Sequence, residues 1–187
     1  MHTKGLQGVV AAETAISDID GEQALLRYSG YDVKELAEHS FFEEVVFLLH
    51  YGRLPTVAEL DEFSAQLVKE RELDHFTSRL MPTMAEVTSP MSMLRTIVSA
   101  SSAYDPDGWE VPENDAANLR KSIRLVARVP QMIAAYWRLS KGRWPVDPDP
   151  ELPHAANFLF VLLGERPSEE DARALDVCLI LHADHTM

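Results

Sequence analysis

The sequence predicts a mainly α-helical fold with one small β-hairpin near its N-terminus. Three observations carry this prediction. Apolar residues recur at helical spacing through most of the chain. Helix-capping residues stand ahead of the apolar runs at Asp32, Ser40, Thr56, Ser89 and Ser168. The one clear hairpin signal, Asp20-Gly21 between two apolar runs, lies close to the start.

Residues 8–31 form the hairpin region, with Val9, Val10, Ile16 and Ile19 before the turn and Leu25, Leu26 and Tyr28 after it. Asp32 caps a short helix through His39. Ser40-Phe41-Phe42-Glu43 fits a capping box, in which serine and glutamate side chains satisfy each other's backbone N–H groups. That helix, Phe41–Tyr51, stops at Gly52, with Pro55 beyond it. Thr56-Val57-Ala58-Glu59 is a second capping box, and Leu60, Phe63, Leu67 and Val68 give its helix one buried stripe. Residues 76–89 are expected to form a helix broken near Pro82. Ser89-Pro90 opens the next, with Met91, Leu94, Ile97 and Val98 on its apolar face.

Residues 104–115 hold Asp, Pro and Gly without periodicity and are predicted to be a loop. A long helix over 115–141 follows. Leu119, Ile123, Val126, Ala127, Ile133 and Ala134 keep the period, Pro130 kinks it and Gly142 ends it. A proline-rich connector leads to a helix over 155–163, closed by Gly164 and Pro167. The final helix starts at Ser168 and is expected to run on to Met187. Residues 32–187 are thus helical, and 1–187 is expected to be part of one large domain.

The composition narrows the function classes. The 187 residues are 46% hydrophobic and 25% charged, which suits one globular domain able to bury a core. A formal net charge of −13 disfavours nucleic-acid partners, because phosphate backbones are repelled. No apolar run reaches the roughly 18 residues of a membrane span, and MHTKGLQGVV lacks a signal peptide's apolar stretch. Cys178 is the single cysteine, so no internal disulfide can form and a cytoplasmic location is expected.

One cluster carries chemistry. His182 and His185, three apart on the expected helix, share a face, with Asp184 directed elsewhere. Two imidazoles can donate hydrogen bonds to a carboxylate or carbonyl ligand, bind a metal, or serve as internally satisfied groups at a helix end. No third or fourth metal ligand stands at motif spacing. Cys178, on the same helix, is most simply a small buried apolar residue. The sequence gives no stop signal after His182, so the chain is expected to be a fragment.

The residues resemble a known family in several places. GLQGVVAAETAISDIDGEQALLRYSGYDVKELAEHSFFEEVVFLLHYGRLPT is similar to the N-terminal signature of bacterial citrate and 2-methylcitrate synthases. SPMSMLRTIVSA, VARVPQMIAAYWRLSKGRWPVDPDPELPHAANFLFVLLGERP and LDVCLILHADHTM resemble later segments of that family, in the right order. The resemblance implies the large helical domain of a citrate synthase, truncated, with the small domain and C-terminal part absent. It implies that His185 contacts oxaloacetate, with His182 in a supporting role. It implies condensation of acetyl-CoA or propionyl-CoA with oxaloacetate, with acyl-CoA as a substrate and no resident cofactor or metal. The family's catalytic base, acid and carboxylate-binding arginines are expected beyond Met187, so this chain alone is expected to be inactive.

The resemblance also implies a homodimer packed through helices 115–141 and 155–163, where Ile123, Val126, Ile133, Phe158, Phe160 and Leu163 supply apolar surface. Ser29, Ser89 and Thr186 stand where the family often has Arg, His and Glu, which leaves the choice of acyl-CoA open. Two other classes remain beside the enzyme reading. One is a stand-alone helical interaction protein that kept the fold without catalysis. The other is a helical metal-dependent hydrolase using His182, Asp184 and His185.

Overall fold

The computed structural model describes residues 13–184. Val9, Val10, His185 and Thr186 lie outside them. Strand β1 (Ser17–Asp20) pairs antiparallel with β2 (Leu25–Tyr28), which pairs antiparallel with β3 (Tyr31–Asp32). Asp20 makes the first turn, its Oδ1 accepting from the N–H groups of Glu22 and Gln23 at 3.0 Å each. The third strand extends the predicted hairpin. It follows a two-residue turn, Ser29-Gly30, in which both residues have positive φ (47° and 90°). That geometry matches the natural twist of paired strands.

The helices begin where short-range caps place them. In α1 (Val33–His39), Asp32 accepts from the Lys34 N–H at 2.8 Å. In α3 (Val57–Lys69), Thr56 and Glu59 form the predicted capping box. The capping box predicted at Ser40 does not form. Helix α2 (Phe42–Tyr51) instead has Phe41 as its cap residue, and the Phe41 N–H donates to Glu44 Oε2 at 2.8 Å. Glu43 turns inward, where its Oε1 accepts from the backbone N–H of His154 at 2.7 Å. A buried helix start elsewhere in the fold outcompetes the local cap.

Helix α4 (His75–Ala85) is continuous through Pro82, although a break was predicted there. Asp74 caps it, and its inner side, with Met81 buried and Leu80 and Met84 partly so, packs into an apolar cluster. That packing compensates for the one backbone donor proline lacks. Helix α5 (Pro90–Ser101) starts at Ser89 as predicted but buries Met93 and Ile97, leaving Met91 72% exposed. Met91 shares a stripe with Leu94 and Val98, which are themselves only partly buried, and it stands in the first turn of the helix.

Helix α6 (Asp115–Ser140) runs 26 residues without a break at Pro130. Before Pro130 it contributes Ile123 and Ala127 to a core shared with Tyr28, Leu36, Leu48, Phe63, Leu67 and Ile180. After Pro130 it contributes Met132 and Ala135 to a second cluster with Met81, Met93 and Ile97. Ile133, predicted for the buried face, is 37% exposed. One helix about 39 Å long, at 1.5 Å per residue, therefore ties both cores together.

Helix α7 (His154–Leu163) ends at Gly164, whose φ of 91° disfavours any side chain. A Cβ there would also come within 2.7 Å of the Arg138 guanidinium. Arg138 holds the connector, its Nε donating to the Trp144 carbonyl at 2.7 Å. Gly164→Ala should therefore destabilise the fold by about 1–3 kcal/mol, measured as a shift in the urea midpoint. Helix α8 (Glu169–Leu181) starts at Ser168 as predicted and stops six residues short of Met187 in the sequence.

Candidate functional site

The end of α8 positions the histidine cluster, and tertiary contacts set that end. The last four carbonyls of a helix lack partners within it. Here each has one. His182 Nδ1 lies 2.7 Å from the Cys178 carbonyl. The His182 and Ala183 N–H groups donate to Leu179 and Ile180 at 3.2 Å each, tightening the last turn. Tyr28 Oη donates to the Leu181 carbonyl at 3.4 Å. The prediction that the helix continues to Met187 is thus corrected. With every carbonyl satisfied, the chain leaves the helix at His182 without a glycine.

This changes the geometry of the cluster. His182 is the exposed cap residue rather than part of a helical face, and Asp184 lies beyond the helix. Since a carbonyl only accepts, His182 Nδ1 carries the hydrogen, which leaves Nε2 as the free ring position. In the neutral ring Nε2 is an acceptor, and only the protonated ring donates from it. Asp184 is held by the sheet: its carboxylate accepts from Ser17 Oγ, and its N–H donates to Tyr28 Oη at 3.4 Å. Burial, opposed by these backbone contacts and reinforced by the Asp184 charge, pushes the Tyr28 phenol above its ordinary pKa. Tyr28 stays neutral and can donate and accept at once. His185 lies outside the described residues.

Cys178, expected to be buried, is exposed, because α8 turns Asp176 and Ile180 inward instead. Asp176 has work there. Its Oδ1 accepts from the Phe42 N–H at 3.0 Å and caps α2 across the fold. Arg173 donates to Asp176 Oδ2 at 2.7 Å and to the carbonyls of Ala37, Glu38 and Ser40 that end α1. One residue pair on α8 therefore closes one helix and opens the next, and fixes α8 against both.

A second buried polar group braces α7. Arg71, 1% exposed, donates to the carbonyls of Asp149 and Leu152 at 3.1 and 2.8 Å in the proline-rich connector. Glu43 accepts the His154 N–H, and the His154 ring is 3% exposed against Phe42, with ring centroids 5.1 Å apart. Burial raises the Glu43 carboxyl. Burial and the Arg71 charge lower the His154 imidazole to about 4.

The sequence reading found His182 and missed Ser17, Tyr28, Glu43, Arg71, His154 and Asp176 as members of these networks. Tyr28 sat in the predicted hairpin, but nothing local pairs it with a residue 156 positions away. An apolar cleft of about 320 Å³ lies at the other end of α8, lined in part by Phe41, Pro153, Ala155 and Ala172. It brings no set of free chemical groups together, since Arg173 and Asp176 on its edge are already engaged. Among the described residues no group of three His, Cys, Asp or Glu is placed to hold a metal. Among them, too, no helix is long and apolar enough to cross a membrane.

Comparison with known proteins gives one answer. Residues 5–187 match the family model described as "Citrate synthase, C-terminal domain". The chain is 46% identical over 184 residues to citrate synthase of Haloferax volcanii, covering 97% of this chain and 48% of that protein. It is 38% identical over 182 residues to 2-methylcitrate synthase of Mycobacterium tuberculosis, covering 97% and 45%. Its fold superimposes on the crystal structure of citrate synthase from Pyrobaculum aerophilum with a TM-score of 0.91 at 39% identity, covering 96% of this chain and 46% of that one. The chain spans about half the length of the curated relatives it matches. Its eight described helices in two joined cores and its small sheet follow the same plan, and the chain belongs to the citrate synthase family.

Proposed function

We propose that residues 1–187 are part of an enzyme that condenses an acyl-CoA with oxaloacetate, releasing CoA and citrate or 2-methylcitrate. The family match across residues 5–187 carries this reading. His185 contacts oxaloacetate through an imidazole N–H, and His182 supports it from the end of α8. The acyl-CoA, acetyl or propionyl, is a substrate, and no resident cofactor is needed. The small domain, the base that removes a proton from the acyl group, the acid that polarises the thioester and the arginines that hold the carboxylates lie outside this chain. The site of action is the cytoplasm.

We place a homodimer interface on α6 and α7. Leu125, Ile133, Trp137 and Leu163 are partly exposed apolar residues that support this. Ile123, included in that surface from the sequence, is 2% exposed and belongs to this chain's own core.

The test is a thiol-release assay on purified residues 1–187 with oxaloacetate and either acyl-CoA. The expected result is no thiol release above the enzyme-free rate. A protein that joins these residues to the rest of the relatives' length is expected to release CoA. Citrate formation by residues 1–187 alone overturns the assignment of the chemistry to other parts of the enzyme.

A further inference from the structure

We propose that Tyr28 and Ser17 are positioning residues for the histidine segment, so that the N-terminal sheet serves as a template for the oxaloacetate site. This rests on the function proposed above. Tyr28 and Ser17 are direct partners in the β1–β2 register. Directly opposed residues present their side chains on the same face of the ribbon, roughly 5 Å apart. That face meets the end of α8. Tyr28 Oη takes the Leu181 carbonyl and the Asp184 N–H, each at 3.4 Å, and Ser17 Oγ donates to the Asp184 carboxylate.

The two residues bracket His182 and Ala183 from both sides. Leu181 is held before them and Asp184 after them. Asp184 is the residue before His185 in the sequence. Holding Leu181 and Asp184 therefore holds the stretch of backbone on which His182 stands. The clamp is anchored in the body of the fold. Tyr28 is fully buried and packs in the first core, and Ser17 is 9% exposed. On the opposite face of the ribbon Arg27 pairs with Asp18 at 3.2 Å. Neither Tyr28 nor Ser17 touches substrate in this scheme. They act through the segment they hold.

Tyr28→Phe keeps the buried ring and removes only the hydroxyl. In residues 1–187, hydrogen exchange at the Asp184 amide should then speed up about 5-fold, the loss of one ordinary hydrogen bond. In the complete enzyme, Tyr28→Phe and Ser17→Ala should lower kcat/KM for oxaloacetate about 10-fold or more, as small misplacements of a binding group do. KM for acyl-CoA should stay within about 2-fold of the parent, and Ser17→Thr should restore most of the loss. A lower Tm with unchanged kcat/KM for oxaloacetate reduces both residues to structural roles and overturns the proposal, as does an unchanged Asp184 exchange rate. An inactive parent enzyme refutes the proposed function instead, while the exchange measurement still reports on the clamp.

Discussion

Arg124→Met should destabilise the fold by about 3–5 kcal/mol, the range found when one partner of a buried ion pair is removed. Arg124 is 6% exposed. Its Nε and Nη2 grip both oxygens of Asp105 at 2.8 and 2.6 Å, and Nη2 also reaches Asp107 at 2.6 Å. Arg120 binds Asp107 from outside. Arg120 and Arg124 together hold the Asp107 carboxyl well below the usual carboxylate range. For Asp105, burial pushes the carboxyl up, and the Arg124 hydrogen bonds outweigh it to leave a net lowering.

Replacing Arg124 leaves two carboxylates at a poorly solvated loop base without their shared cation. Replacing Arg120, whose side chain is 48% exposed, should cost far less, because water can take its place. Urea unfolding of both variants makes the comparison. An Arg124→Met variant no less stable than Arg120→Met would show that the loop is held by something else. The folded-state carboxyl of each aspartate lies lower than in the unfolded chain. Their contribution is therefore present above the unfolded carboxylate pKa and is lost as pH falls below it, so the gap between parent and Arg124→Met should narrow in acid.

This loop also marks where the sequence stops being informative. Asp, Pro and Gly without periodicity in residues 104–115 predicted a loop, and apart from one 3-10 turn at Ser102–Tyr104 residues 102–114 carry no helix or strand. Nothing in that pattern says that Asp105 and Asp107 turn inward to two arginines on α6. The same limit runs through the fold. Asp32, Thr56, Ser89 and Ser168 each cap the helix they were expected to cap, because a cap is a bond spanning two or three residues. Ser40 and Glu43 fitted the same rule and did not follow it. Glu43's partner is 111 residues away, and the buried N–H of His154 needs that carboxylate more than an exposed helix start does.

The candidate site divides along the same line. The histidine cluster was visible as residue types, but its shape was not. The end of α8 is decided by a tyrosine hydroxyl 153 residues earlier in the chain, and by a ring nitrogen folding back on its own helix. Periodicity misplaced Met91, Ile133 and Cys178 for a related reason. Helical spacing shows that a stripe exists, but not which of its residues the neighbouring helices cover.

His154 should make the fold sensitive to mild acid. Its ring is buried beside Arg71, and both burial and that positive charge oppose protonation, bringing its pKa from 6.5 down to about 4. The unfolded chain takes up a proton near pH 6.5, while the folded chain does not until about pH 4. In that window the unfolded state binds more protons, so stability falls as pH falls. The full difference is about 3 kcal/mol, at 1.36 kcal/mol per pKa unit.

Glu43 works in the other direction. Its raised carboxyl favours the folded state in acid and loses that contribution as pH rises. Because Glu43 binds the His154 backbone N–H rather than the ring, the two effects can be separated by changing the ring alone. His154→Leu keeps the backbone donor and removes the titrating group, and His154 Nδ1 has no protein partner among the described residues to lose. Unfolding free energies of parent and variant, measured at intervals from pH 7 to pH 4, should converge or cross as pH falls, with the variant gaining about 3 kcal/mol relative to the parent. Parallel curves across that range would mean that the buried imidazole is protonated as readily in the fold as outside it, and that Arg71 and the surrounding apolar groups do not set its charge.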